Sequence, residues 1–392
     1  MKRTSPYAQA RALRVGLDYL PAVSHAPGVG RYARELVRAL AQLDHGPRLS
    51  LFEWGVGPRP MEGPPLGLEN AQLDIRRRRF PLPRRLLELA HRFCGLGADD
   101  LLGGIDVFHR ILPGQPALRR VHQVLPIVEL PAEGSPSDRS LAQAVEQAGA
   151  IVVFCADYAK RVPQRYGIDP ARVAQASVGA EHWLRDRTAS GPIASARDQP
   201  EPESSDQILV LGALRQERRP LLALEGFERL LAGGGRARLC LVGRPSSAAD
   251  SFRAALERSP AASAVRWIDD PVEAEMPGLV AQSKVLLHLA QDEGSAVTPL
   301  EACAMGLAIA AERLPAFEEV LGSEAAWIDR AAGPEQVADA LAQALGPAQA
   351  AARNLARKRI AEAHSWSLCA QQHIRIWEAV ARGDRPLPAA EA

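Results

Sequence analysis

Apolar and polar positions along the 392-residue chain follow two rhythms. Short apolar runs, among them LRVGLDYL (13–20), RLSLFEW (48–54), IDVFHRIL (105–112), RRVHQVLPIV (119–128) and AGAIVVFCA (148–156), read as buried strands. Between them lie stretches with apolar residues three and four apart. RYARELVRALAQL (31–43) places Ala33, Leu36, Val37 and Leu40 on one helical face. The rhythm stops at RDRTASGPIASARDQPEPESSD (185–206), which is rich in Pro, Ser, Ala and acids and reads as a linker. It resumes with QILVLG, PLLALEGFERLLA, ARLCLVG, AADSFRAALERS, AVRWIDD and KVLLHLA. Alternating strands and helices predict parallel sheets, and ligands of such sheets bind beyond the carboxyl ends of the strands.

Composition narrows this picture without changing it. The length suits two domains of ordinary size, 12–185 and 207–364 around a 186–206 linker, with a last helix over 365–381. Formal net charge is +1, so the chain as a whole is no polyanion binder, and nucleic acid is not an expected partner. The five cysteines stand far apart with no CxxC pair, which suits reduced thiols and a cytoplasmic location. No apolar run is long enough to span a bilayer, and the N-terminus lacks the apolar core of a secretory signal.

The stretch KVLLHLAQDEGSAVTPLEACAMGLAIA (284–310) concentrates the candidate chemistry. A strand ends near Ala290, and a small-residue loop with Gly294 and Ser295 follows. Thr298, Pro299 and Glu301 then spell a capping box at a helix start. Exposed N–H groups and a positive dipole end there make a seat for phosphate. Glu301 could be only a capping residue and Glu293 only a solvated loop charge; the spacing of the two with the flanking strand and helix favours a site.

This stretch resembles the E-G-x-x-x-x-x-L-E-A-x-A-x-G segment of family 4 of the retaining GT-B glycosyltransferases, with Glu293, Gly294, Leu300, Glu301, Ala302, Ala304 and Gly306 matching. RLPAFEEVLGSEAAWID (313–329) and HSWSLCAQQHIRIWEAV (364–380) resemble the segments that follow in that family. The fold implied is α/β: two Rossmann-like domains facing across a cleft, with a C-terminal helix crossing back to the first. The resemblance assigns Glu293 to the donor sugar, as catalytic, and Glu301 to the nucleotide ribose. The amides of Gly294, Ser295 and Ala296 would hold the diphosphate. Gly212 and Arg218 match a Gly and, six residues later, a phosphate-binding Lys. The family's Arg after that Gly is Ala213 here, so one phosphate ligand is either missing or supplied by Arg215 or Arg219.

In the first domain, PGVGRYARELVRAL (27–40) resembles the family's Gly-x-Gly-Arg-Tyr loop, with Gly30 toward the donor and Gly28 toward donor or acceptor. Alone it also spells a dinucleotide fingerprint with Glu53 as ribose ligand, yet LPAVSHAP separates it from its strand. RRVHQVLPI (119–127) resembles the strand that ends in His-Asp, making His122 a second catalytic candidate and Gln123 its neighbour on the acceptor side. Departures at Ala213, Gln123 and Ser295–Ala296 leave open a non-catalytic homologue, and a nucleotide-sugar epimerase shares the two-domain pattern.

The activity implied is transfer of a hexosyl unit, mannosyl as the first trial, from a GDP- or UDP-linked donor to a glycan or lipid-linked acceptor. No cofactor and no metal is expected. One stretch stands outside this frame: IRRRRFPLPRRLLELAHRF (75–93) packs six arginines before Leu86 among apolar residues. It reads either as a peripheral contact with an anionic membrane face or as a solvated loop leading to a buried helix.

Overall fold

The computed structural model describes residues 12–24, 28–57, 68, 73–113, 116–189, 206–269, 275–346 and 350–386. Apolar runs become the strands of two wholly parallel sheets. The first holds β1 (Arg14–Asp18), β2 (Arg48–Trp54), β3 (Ile75–Phe80), β4 (Val107–His109), β5 (His122–Ile127), β6 (Ala150–Val153) and β7 (Val173–Gln175), in the order β3-β2-β1-β4-β5-β6-β7. The second holds β8 (Asp206–Leu211), β9 (Ala237–Val242), β10 (Val265–Ile268), β11 (Val285–His288), β12 (Ala308–Glu312) and β13 (Ala325–Ile328), in the order β10-β9-β8-β11-β12-β13. Strand order reverses at β1/β4 and at β8/β11, so each sheet opens a crevice at the carboxyl ends of that pair. The expected linker begins inside a helix, His182–Ala189, and its residues 190–205 lie outside the described ones.

The interiors of the central strands are buried on both faces, as crossover helices require. One buried apolar cluster runs through both domains, from Val15 and Leu36 to Leu300 and Cys303 and on to Trp366 and Trp377. The basic stretch splits in two. Ile75–Phe80 forms the edge strand β3, where charge protects an open ladder. Arg84–Cys94 forms a surface helix. Leu87 turns inward, whereas Leu86, Leu89 and Phe93 face solvent. Arg76 pairs with Asp74 and Arg77 with Glu53, so part of the positive charge is met locally.

The closing helix, Trp366–Arg382, packs on the first domain against the helix Val29–Ala41 and the strands β4 and β5. Ser365 Oγ caps it, accepting from Leu368 N at 3.1 Å. A directed hydrogen-bond chain leaves and rejoins this helix. Trp377 Nε1 donates to His109 Nδ1 at 3.3 Å, which leaves the His109 proton on Nε2, 3.1 Å from the Tyr32 hydroxyl. Tyr32 donates in turn to His373 Nε2 at 2.7 Å, and His373 Nδ1 donates to the carbonyl of Cys369 at 2.7 Å. Burial pushes both imidazoles down, His373 to about 4, so both are neutral.

Candidate active site

The second sheet delivers its functional groups from the carboxyl ends of β8, β9 and β11. After β8, Gly212 turns at φ +126 and leads to a single 3-10 turn, Gln216–Arg218. Gly243, after β9, approaches so closely that a Cβ there would run into the Gly212 carbonyl. Arg219 follows at φ +48 and turns away from the cleft: its Nη1 donates to Glu312 at 2.8 Å and to the Arg330 carbonyl at 3.0 Å. Arg218 is thereby aimed at the loop after β11. There Glu293 Oε2 stands 2.7 Å from Arg218 Nη1 and 2.9 Å from His288 Nε2. Burial opposes ionisation of Glu293, but the Arg218 charge and the His288 contact outweigh it and hold the carboxyl at about 2. Glu293 in turn keeps Arg218 protonated against its own burial.

The helix after this loop spans Val297–Ala304, with Ala296 as its N-cap and no side-chain cap. The expected capping box is therefore not formed. Glu301 lies one turn inside the helix, and its carboxylate is drawn across the cleft instead. Arg31 Nη1 donates to both of its oxygens, at 2.9 and 3.1 Å, and His182 Nε2 stands 3.2 Å from Oε1. Glu301 is fully buried, which opposes its charge, but Arg31 and His182 hold its pKa low. Arg31 also lies over the Trp183 ring, 4.7 Å from its centroid.

Between the domains these groups wall a cavity of about 350 Å3. Its lining includes Gly28, Gly212, Arg218, Glu293, Ser295 and Glu301 from the expected set, together with Arg31, Val128, Glu129, Trp183, Arg215 and Arg244. Of the two cations considered for the missing phosphate ligand, Arg215 lines the cavity and Arg219 does not. Arg215 forms a bidentate pair with Glu129, both contacts at 3.0 Å. Gly30 is buried in the first turn of its helix, and Ala296 lies behind the wall. Gly294 serves the domain interface: its N–H donates to the Val128 carbonyl at 3.0 Å, and a Cβ there would overlap the Tyr158 ring.

His122 and Gln123 are not brought to the cavity either. His122 is the exposed first residue of β5, at the amino end of the sheet. Gln123, beside it, is buried and accepts from Arg110 Nε at 2.6 Å. A continuous apolar run does not say where its strand stops: the His122–Gln123 pair opens β5 and does not close it. The residues beyond the carboxyl end of β5 are Val128 and Glu129, and among the described residues lining the cavity none is a histidine. Glu53, the ribose ligand of the dinucleotide reading, pairs with Arg77 at 2.7 Å. A short helix, Leu20–Ser24, separates β1 from the glycine loop. Sequence reasoning missed His288, although a polar residue closing KVLLHLA was a visible signal, and it missed the Arg31–Glu301 pair.

Residues 194–362 match the family described as Glycosyl transferases group 1. No curated protein matches the chain. Among solved structures, a glycosyltransferase from Rickettsia africae shares 14% identity over 95% of this chain and 99% of its own, with a TM-score of 0.65. WaaG, a glycosyltransferase involved in lipopolysaccharide biosynthesis, shares 16% over 92% and 99%, at 0.65. HepE of Anabaena, solved with UDP and glucose, shares 12% over 92% and 98%, at 0.69.

Proposed function

We propose that this chain, a GT-B glycosyltransferase whose second domain belongs to the group 1 family, moves a hexosyl unit from a nucleotide diphosphate sugar to a hydroxyl acceptor with retention at the anomeric carbon. The observation that carries this reading is the Glu293–Arg218 pair in the wall of an interdomain cavity, with His288 holding Glu293 from behind that wall, just ahead of the Val297–Ala304 helix. As the glycosidic bond breaks, negative charge grows on the leaving diphosphate. Arg218, Arg215 and the N–H groups at the start of the Val297–Ala304 helix would stabilise it. Glu293, held ionised, would orient the hydroxyls of the donor sugar. HepE is described with UDP and glucose, which supports a nucleotide donor here. GDP-linked mannose is the other first trial.

A thermal-shift panel of GDP, UDP, ADP and dTDP tests this. One nucleotide should raise the melting temperature, and its sugar conjugate should be consumed with an acceptor present. No shift with any of the four would sink the reading. The Val128–Glu129 pair where the family brings an imidazole favours a second reading, a nucleotide-binding homologue without turnover. Tight nucleotide binding with no sugar release would select it.

The acceptor is a glycan or a lipid-linked glycan, and the surface helix bears on the choice. Leu86, Leu89 and Phe93 form an outward stripe, with Leu82, Arg78, Arg85 and Arg92 also exposed nearby. Such a face suits insertion at an anionic bilayer surface. Among the described residues no helix is long and apolar enough to cross a membrane. Pelleting with vesicles of anionic phospholipid should deplete the protein, and Leu86→Ser/Phe93→Ser should abolish it; equal pelleting of both would exclude this contact.

A further inference from the structure

The three carboxylates in the cavity wall, Glu129, Glu293 and Glu301, are each paired with an arginine of the same wall, Arg215, Arg218 and Arg31. Three of the four arginines in the wall are thus held by its own carboxylates, Arg244 being the fourth. A diphosphate that draws on Arg31, Arg215 or Arg218 takes it from a carboxylate.

We infer that Arg31 is a donor-binding residue that exchanges the Glu301 carboxylate for the donor diphosphate, and this rests on the reading of a nucleotide diphosphate donor. Arg31 comes from the first domain and Glu301 from the second, 270 residues apart in sequence. Their pairing therefore bridges the two domains within the cavity wall. Both are buried, Arg31 at 6% exposure, and both line the cavity. If Glu301 turns to the uncharged ribose hydroxyls, Arg31 Nη1 gives up both of its contacts to that carboxylate within the cavity wall. Diphosphate oxygens in the same cavity supply that anion in the planar, two-pronged form a guanidinium matches. The Trp183 face holds the guanidinium in place whichever anion it faces. His182 Nδ1 accepts from Trp366 Nε1 at 3.2 Å, which leaves the ring proton on Nε2, 3.2 Å from Glu301 Oε1 and without a hydrogen bond of its own among the described residues.

Titration calorimetry of wild type and Arg31→Ala with UDP, GDP and the parent nucleosides uridine and guanosine separates the possibilities. Arg31→Ala should weaken the bound nucleoside diphosphate by about tenfold or more, while its nucleoside binds as well as before or better. Glu301→Gln should weaken the nucleoside too. If Arg31→Ala leaves diphosphate affinity unchanged, or tightens diphosphate and nucleoside alike, Arg31 is a latch only and the inference fails. Inorganic pyrophosphate serves as a base-independent probe. Its binding to wild type, with loss in Arg31→Ala, upholds the exchange of carboxylate for diphosphate at Arg31 even if neither nucleotide binds; in that case the donor reading, and with it the donor role of Arg31, falls. Binding of none of these ligands by wild type overturns both. Arg31→Gln, closer in shape and uncharged, carries the same expectation should Arg31→Ala not fold.

Discussion

At the scale of single residues, Glu293 and Arg218 depend on one another. Removing Arg218 takes away the charge that offsets burial of Glu293, so the carboxyl should rise from about 2 toward the ordinary range or above it. We expect Arg218→Ala to lower turnover roughly a hundredfold, the scale of one lost electrostatic donor. The pH profile is the sharper measure. In wild type Glu293 stays ionised throughout pH 5 to 8, whereas in Arg218→Ala the acid limb of activity should move upward. An acid limb identical in both proteins would show that Glu293 plays no ionised role. Glu293→Gln keeps the shape and removes the charge, and should cost about as much as Arg218→Ala.

Among the elements, the closing helix has its own acid sensitivity. Unfolded histidine titrates near 6.5 and folded His373 at about 4, so between these values the unfolded chain binds more protons. Stability from this group is complete above about pH 6.5 and falls as pH drops toward 4, by on the order of 3 kcal/mol. Urea unfolding at pH 7 and pH 5 should register the loss, and His373→Gln should flatten it. A wild-type curve unchanged over that range would mean that His373 is not buried neutral. Tyr32→Phe leaves one buried donor and one buried acceptor of the chain without partners, and should cost about 1–3 kcal/mol for each.

The elements also show how far the sequence could be followed. The alternation of runs foretold both sheets, and the Glu293–Glu301 spacing located the second domain's half of the site. It could not separate strand from loop in RRVHQVLPIV, because apolar residues continue past the carboxyl end at Ile127 into Val128. Nor could it distinguish Glu301 as a cap from Glu301 as a partner of Arg31. A TxxE pattern is local, and the group that claims the carboxylate comes from the other domain. Arginine runs hid a similar choice, since IRRRRF looks like a solvated charge run until β2 is seen to pair with it.

For the whole molecule, the domains are joined by ion pairs and by a shared core. Arg161 forks onto Asp292 at 2.9 and 2.8 Å, and Arg215 onto Glu129. The buried apolar cluster is continuous from the first sheet through the closing helix into the second domain. A single calorimetric unfolding transition is therefore expected. Two resolved transitions would mean that the shared cluster contributes little. Arg161→Glu combined with Arg215→Glu should widen the molecule in small-angle scattering, since both pairs become repulsive.

Gly294 has a meaning for the rhythm of turnover. Tyr158 lies where a side chain at that position would begin, so the aperture of the cleft is set by the absence of one methyl group. Adding it, in Gly294→Ala, inserts a wedge between the domains without touching a charge. A propped cleft should release spent nucleotide faster and commit bound sugar to transfer less often, leaking it to water. A single-turnover assay checks this: Gly294→Ala should raise the share of donor sugar lost to water, and a share equal to wild type would mean that this contact does not time the transfer.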